Sequence, residues 1–134
     1  MIRIYTDGGS RGNPGKSACA FLIIKEDKEV YSISKFLGIK TNNEAEYHAI
    51  INALNWVENN KEDKEIKLFS DSELVIKQIN GEYKIKKTHL KELNKKVRDL
   101  IEENDFDIKF SNVKRENRFI SQADFLLNNE LDKN

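Results

Sequence analysis

This chain of 134 residues is poor in the residues that staple or interrupt a fold, with one cysteine, one proline, one tryptophan and six glycines. A single thiol, Cys19, excludes an internal disulfide framework and a thiolate metal site, and it fits a protein kept in a reducing cytosol. Cys19 itself reads as a small apolar strand residue. An excess of charge of one sign is also missing, because 23 basic and 23 acidic residues cancel to a net charge of zero. No global positive field advertises a nucleic-acid partner, so any such partner has to be held by local clustering. Nowhere does an apolar run approach the about 18 residues of a membrane span, and the opening Met1-Ile2-Arg3-Ile4-Tyr5-Thr6-Asp7 lacks the apolar stretch of a signal peptide. The expectation is a cytoplasmic protein without membrane contact. Its length argues for one domain over residues 1–134, with the polar end Asp132-Lys133-Asn134 read as a frayed tail.

What the chain does have is strong apolar patterning. Residues 2 to 6 alternate and stop at Asp7-Gly8-Gly9, which reads as a strand entering a tight loop that continues through Gly12-Asn13-Pro14-Gly15. Residues 17 to 25 and 29 to 37 flank the polar turn Glu26-Asp27-Lys28 and predict an antiparallel hairpin. Thr41 followed by Glu44 is a capping box, and Ala49, Ile50, Ala53, Leu54 and Val57 then mark a helix to about residue 60. Ile66, Leu68 and Phe69 form a strand ending at Ser70-Asp71-Ser72, and Leu74, Val75 and Ile79 a brief helix closed by Gly81. Leu90, Leu93, Val97, Leu100 and Ile101 predict a long helix over about 88 to 103, and Phe106, Ile108 and Phe110 a fifth strand. Ser121 with Asp124 reads as the opening of a last helix bearing Leu127 and Leu131. This order describes an α/β fold with a five-stranded mixed sheet flanked by helices, in which the first and fourth strands lie parallel and adjacent.

The most informative residue is Glu46. At 100° per residue it falls within the stripe of Ala49, Ile50, Ala53 and Val57, where a bare carboxylate is costly, whereas Glu44 projects away with His48 and Asn55. Ligands of such sheets gather at the carboxyl ends of strands, and Asp7 and Asp71 both stand at such ends. With neighbouring strands about 4.8 Å apart, the two aspartates approach closely and the start of the first long helix can bring Glu46 above them. Oxygen donors without cysteine favour a hard ion, Mg2+ or Mn2+, and disfavour zinc. Asp124, on the sheet-facing side of the last helix, is a candidate fourth carboxylate. Four acids roughly balance two divalent ions, an arrangement suited to phosphodiester hydrolysis. Taken singly, three of the acids have ordinary structural roles: Asp7 as a turn former, Asp71 as a helix cap and Asp124 as the capping-box partner of Ser121.

These segments resemble type 1 ribonuclease H, in the subgroup without a basic protrusion, along nearly the whole chain. The resemblance is carried by Thr6-Asp7-Gly8-Gly9-Ser10-Arg11-Gly12-Asn13-Pro14-Gly15, by Thr41-Asn42-Asn43-Glu44-Ala45-Glu46-Tyr47 and by Ser70-Asp71-Ser72. It implies an endonuclease that cleaves the RNA strand of an RNA/DNA hybrid with two Mg2+ or Mn2+ ions, leaving a 5′-phosphate and a 3′-hydroxyl. Asp7, Glu46, Asp71 and Asp124 are then the catalytic metal ligands. Gly8, Ser10, Gly12, Asn13, Asn42, Asn43 and Glu73 are then substrate contacts, Glu73 standing where the family often has glutamine. Other readings are a noncatalytic hybrid-binding module and a nuclease of this fold acting on double-stranded RNA or junctions.

Two departures from the family pattern stand out. The stretch from Val113 to Asp124 is about two residues wider than is usual in that subgroup, which bears on Asp124. The histidine that many relatives carry in the preceding loop is replaced by a segment with Arg115, Glu116 and Arg118, and neither His48 nor His89 is placed to substitute for it. From Lys77 to Arg98 stand eight basic residues against Glu82 and Glu92, either a solvated face or a lane for DNA-strand phosphates. Trp56 fits the helix stripe as a core residue. No feature calls for an obligate protein partner, and the expected form is a monomer.

Overall fold

Apolar side chains at alternate strand positions and on single helix faces leave few ways to close a core, and a computed structural model covering residues 1–134 shows which is used. Three strands come first, β1 (Ile2–Gly12), β2 (Gly15–Lys25) and β3 (Lys28–Lys40), followed by α1 (Asn42–Asn59) and β4 (Glu65–Ser70). Then come α2 (Glu73–Ile79), α3 (Thr88–Asn104), β5 (Asp107–Asn112) and α4 (Arg118–Lys133). The sheet order is β3-β2-β1-β4-β5. β1 pairs antiparallel with β2 and β2 with β3, while β4 runs parallel to both β1 and β5. No helix is long and apolar enough to cross a membrane.

The two faces of the sheet are covered unequally. On one face α1, α2 and α3 enclose a core of 18 buried residues including Ile2, Ile4, Ile50, Leu54, Leu68 and Val97. On the other, α4 alone packs over β1, β2 and β3, and the core there has nine buried residues, among them Tyr5, Leu22, Ile120 and Leu127. At about 1.5 to 3 kcal/mol for each large aliphatic side chain buried, the larger core supplies most of the driving force. The capping box expected at α1 is present, with Thr41 Oγ1 accepting from the Glu44 amide at 3.2 Å and Glu44 Oε1 accepting from the Thr41 amide at 2.9 Å.

Three expectations are corrected. β1 does not stop at Asp7 but continues through Gly8 and Gly9 to Gly12, leaving only a short turn at Asn13-Pro14. The glycines serve close approach rather than chain reversal: a Cβ at Gly8 would lie 2.3 Å from the Ala45 carbonyl of α1, and one at Gly9 would lie 3.3 Å from Leu127 of α4. The last helix opens at Arg118, not at Ser121. Asn117 caps it, its Oδ1 accepting from the amides of Phe119 and Ile120 at 3.0 and 3.2 Å. The polar end is helical through Lys133 rather than frayed, tied to the β1–β2 hairpin by an Arg11–Asp132 ion pair of 2.6 Å and a Lys16 bond to the Asn134 carbonyl.

Candidate active site

β1 and β4 are parallel neighbours with Thr6 opposite Ser70, so Asp7 and Asp71 leave the same end of the sheet side by side. Glu46 descends on them from the second turn of α1. Carboxylate oxygens of Asp7, Glu46 and Asp71 lie within 4.8 Å of one another. The Gly8 amide sits between two of these acids, donating to Asp7 Oδ1 at 3.0 Å and to Glu46 Oε1 at 2.8 Å. That contact needs α1 to press against a residue without a side chain, which is what Gly8 provides.

The site is electrostatically expensive. Burial, and then the charges of Asp71 and Asp124, push the Asp7 carboxyl from its ordinary value up to about 8. Glu46 is likewise pushed well above the usual range by burial and by Asp7 and Asp71. Asp71, half-buried, is raised by burial, against which the Arg115 charge pulls downward. No ion pair closes on any of the three acids. Buried acids without a cationic partner, with neither histidine nor cysteine among them, form a donor set able to hold a hard metal ion.

Asp124 lines the same cleft, a cavity of about 460 Å³, and raises Asp7 through its charge and a side-chain hydrogen bond, but it stands outside the tight triad. Asp71 is not the cap of α2; that position belongs to Ser72, whose Oγ accepts from the Val75 amide at 3.3 Å. Nor is Asp124 a capping residue, since it lies in the second turn of α4.

The other expected site residues divide in two groups. Ser10 and Asn42 line the cleft and are linked to Asn13, with Asn42 Oδ1 accepting from the Ser10 amide at 2.8 Å and Asn13 Oδ1 accepting from the Asn42 amide at 3.0 Å. Gly12 stands exposed at the hairpin turn, and Asn43 is half-buried in the first turn of α1. The Ser10 hydroxyl is buried with no partner. Glu73, by contrast, does not line the cleft; it pairs with Lys77 at 3.1 Å and accepts from the Tyr83 hydroxyl at 3.0 Å. Trp56 is a half-buried core residue stacked on Tyr31, with ring centroids 4.9 Å apart.

A family model described as RNase H matches residues 1–122. The chain belongs to the RNase H family. It is 34% identical over 132 residues to a ribonuclease HI of Halobacterium salinarum, an alignment covering 98% of this chain and 64% of that protein's length. A ribonuclease H of Acetivibrio thermocellus is 34% identical over 145 residues, covering 99% of this chain and 96% of that protein. LC11-RNase H1 from a compost metagenome, solved in complex with RNA/DNA hybrid, superposes with a TM-score of 0.93 at 36% identity, covering 99% of this chain and 98% of that one.

Two residues that line this RNase H cleft could not be placed from sequence. Arg115 lines the cleft and its charge draws Glu46 and Asp71 downward, while Arg11 reaches across to the Asn128 carbonyl of α4 at 3.3 Å. Arg11 carried no signal, because its contacts come from the far end of the chain. Arg115 had one, a basic residue in the connection that leads into the helix of Asp124.

Proposed function

We propose that this chain is an endonuclease that hydrolyses the RNA strand of RNA/DNA hybrids, leaving 5′-phosphate and 3′-hydroxyl ends. The observation that carries the reading is the meeting of Asp7, Glu46 and Asp71 within 4.8 Å where the parallel pairing of β1 and β4 ends. The hybrid is favoured as substrate because a relative matching almost the whole chain was solved with one bound. Oxygen donors alone suit Mg2+ or Mn2+, and Asp124 at the rim brings the charge to that of two such ions. Such a pair, when bound, activates the attacking water and stabilises the leaving oxygen.

The rest is done by the chain. The Gly8 amide orients Asp7 and Glu46 before any ligand arrives. The Ser10, Asn13 and Asn42 bonds hold the hairpin against the start of α1, so that Ser10, Gly12, Asn13, Asn42 and Asn43 form a preformed polar edge beside the acids. Such an edge suits a minor groove and the 2′-hydroxyl that marks the RNA sugar. Glu73, held by Lys77 and Tyr83 outside the cleft, stays a substrate contact only at the margin of the duplex, and the exposed Lys84, Lys86, Lys87 and Lys91 follow the DNA-strand phosphates. A monomer working in the cytoplasm is consistent with the buried free thiol of Cys19.

The test is incubation with an RNA/DNA hybrid, a double-stranded RNA, a DNA duplex and a four-way junction, each with Mg2+, Mn2+ or EDTA. The expected outcome is metal-dependent cutting of the RNA strand of the hybrid. Cleavage of no substrate would refute catalysis and leave a hybrid-binding module; faster cutting of double-stranded RNA or of the junction would reassign the substrate.

A further inference from the structure

On the face of the sheet that carries α4, the helix packs chiefly on β1, β2 and β3, and below Phe69 the strands β4 and β5 are left open. Three cations stand in register across this open part. Arg3 is opposite Lys67 on β4, and Lys67 is opposite Lys109 on β5. All three point away from the large core: Ile2, Ile4, Ile66, Leu68, Ile108 and Phe110, their neighbours in sequence, pack into it. Like charges directly opposite on adjacent strands oppose pairing. No carboxylate neutralises Lys67 or Lys109 within ion-pair distance, and Arg3 has only a 3.8 Å pair with Asp27, whose side chain is 93% exposed.

This row connects to the carboxylate cleft. Arg115 lines the cleft, and three residues on, Arg118 lies over the Phe119 ring at 4.8 Å. Phe119 packs on Tyr5 at 4.8 Å, and Tyr5 stacks on Phe69 at 4.8 Å. One step further down the same face are Arg3 and Lys67. Arg3 lies four residue steps along β1 from Asp7, about 13 Å. Beyond the cations, Glu65 faces Asp107 and ends the lane with negative charge, beside a hollow of about 310 Å³ that Lys67 and Lys109 also line.

We propose that Arg3, Lys67 and Lys109 bind the phosphates of a single-stranded nucleic-acid extension leaving the carboxylate cleft, guided there by Arg115 and Arg118. The row crosses β1, β4 and β5, about 10 Å from end to end at the usual strand spacing, which fits one phosphate backbone rather than the two of a duplex. The rings of Tyr5, Phe69 and Phe119 are spent on one another, so contact is with the backbone and is independent of base sequence. The proposal rests on the nuclease reading only for the identity of the strand delivered.

The test measures fluorescence anisotropy in EDTA, where metal-dependent cleavage stops, with three probes: a blunt hybrid, the same hybrid with a single-stranded extension of the RNA strand, and a free single-stranded oligonucleotide. The extension is expected to tighten binding by about fivefold or more relative to the blunt form. In Lys67→Gln/Lys109→Gln that ratio falls to about one, and the salt slope for the extended probe drops by about 1.4, as for two phosphate contacts to a single strand. Lys67→Arg/Lys109→Arg restores the ratio. An unchanged ratio in the glutamine variant, or no gain from the extension in the unaltered protein, would overturn the proposal. Failure of the unaltered protein to cut the blunt hybrid with metal, together with Lys67- and Lys109-dependent binding of the free oligonucleotide, would sink the nuclease reading and leave this one standing.

Discussion

The two ends of the sheet handle charge in opposite ways. Where β4 finishes beside β1, three acids of one sign are gathered, Asp7 and Glu46 buried and Asp71 half-buried, with no cation paired to them. Where β1 begins, opposite charges are set out in water: the Met1 amino group on Asp63, Arg3 on Asp27 and Lys25 on Glu62. Solvent screens the second arrangement and makes it nearly neutral for stability, whereas the first opposes folding unless protons or cations arrive. A buried cluster that costs stability and is nonetheless built by three separate elements is the signature of a site, while the three exposed pairs carry no comparable burden.

The largest effect that breaks this comparison is on catalysis. Asp7→Asn or Glu46→Gln is expected to lower cleavage of a hybrid by about 10³-fold or more, equivalent to about 4 kcal/mol of barrier, in a steady-state assay with Mg2+. The same Asp7→Asn change should raise the melting temperature of the metal-free protein by about 3 to 6 °C at pH 8, because it removes a buried charge. A variant that loses activity and melts lower would contradict the contrast drawn above.

Gly8→Ala comes next. Its Cβ would meet backbone 2.3 Å away, so α1 must shift from β1; the expected loss is about 3 kcal/mol in urea unfolding, larger than for ordinary overpacking. The pH dependence sharpens the comparison further. Asp7 ionises near 3.8 in the unfolded chain and near 8 in the folded one, so the folded protein holds a proton that the unfolded one has released. The stability of the metal-free protein therefore falls as pH rises from about 4 to about 8, and raised values at Glu46 and Asp71 act in the same direction. Thermal melts in EDTA across that range should show the decline, Mg2+ should reverse it at pH 8 by binding the folded state, and Asp7→Asn should flatten it. At the quiet end, Lys25→Gln should move the melting temperature by no more than about 3 °C and leave the pH profile unchanged.

Much of this was legible in the residues, for reasons that differ from place to place. Glu46 was found by helical phase alone, because α1 is long and capped by Thr41 and Glu44 as a regular helix should be. Glycine reads as a turn former, so the residues alone end β1 at Asp7, and nothing local tells that Gly8 and Gly9 exist to let α1 and α4 come close. Ser121 and Asp124 imitate a capping box, so the residues alone open α4 three positions late. In the fold Ser121 instead donates to the Arg115 carbonyl at 3.2 Å, while Asn117 does the capping. The Arg11–Asp132 pair spans almost the full chain and has no local pattern at all.

The amide shared by Asp7 and Glu46 belongs to the main chain of Gly8, and this shapes how the site can change over generations. Short of proline, no replacement of a side chain can delete that donor, so the orientation it imposes is shielded from most amino-acid drift even as the acids themselves remain free to mutate. A survey of point variants would score position 8 for steric tolerance alone. Only exchanging the peptide link for an ester at that position would silence the donor while keeping the side chain, and so separate what the backbone contributes from what the glycine does.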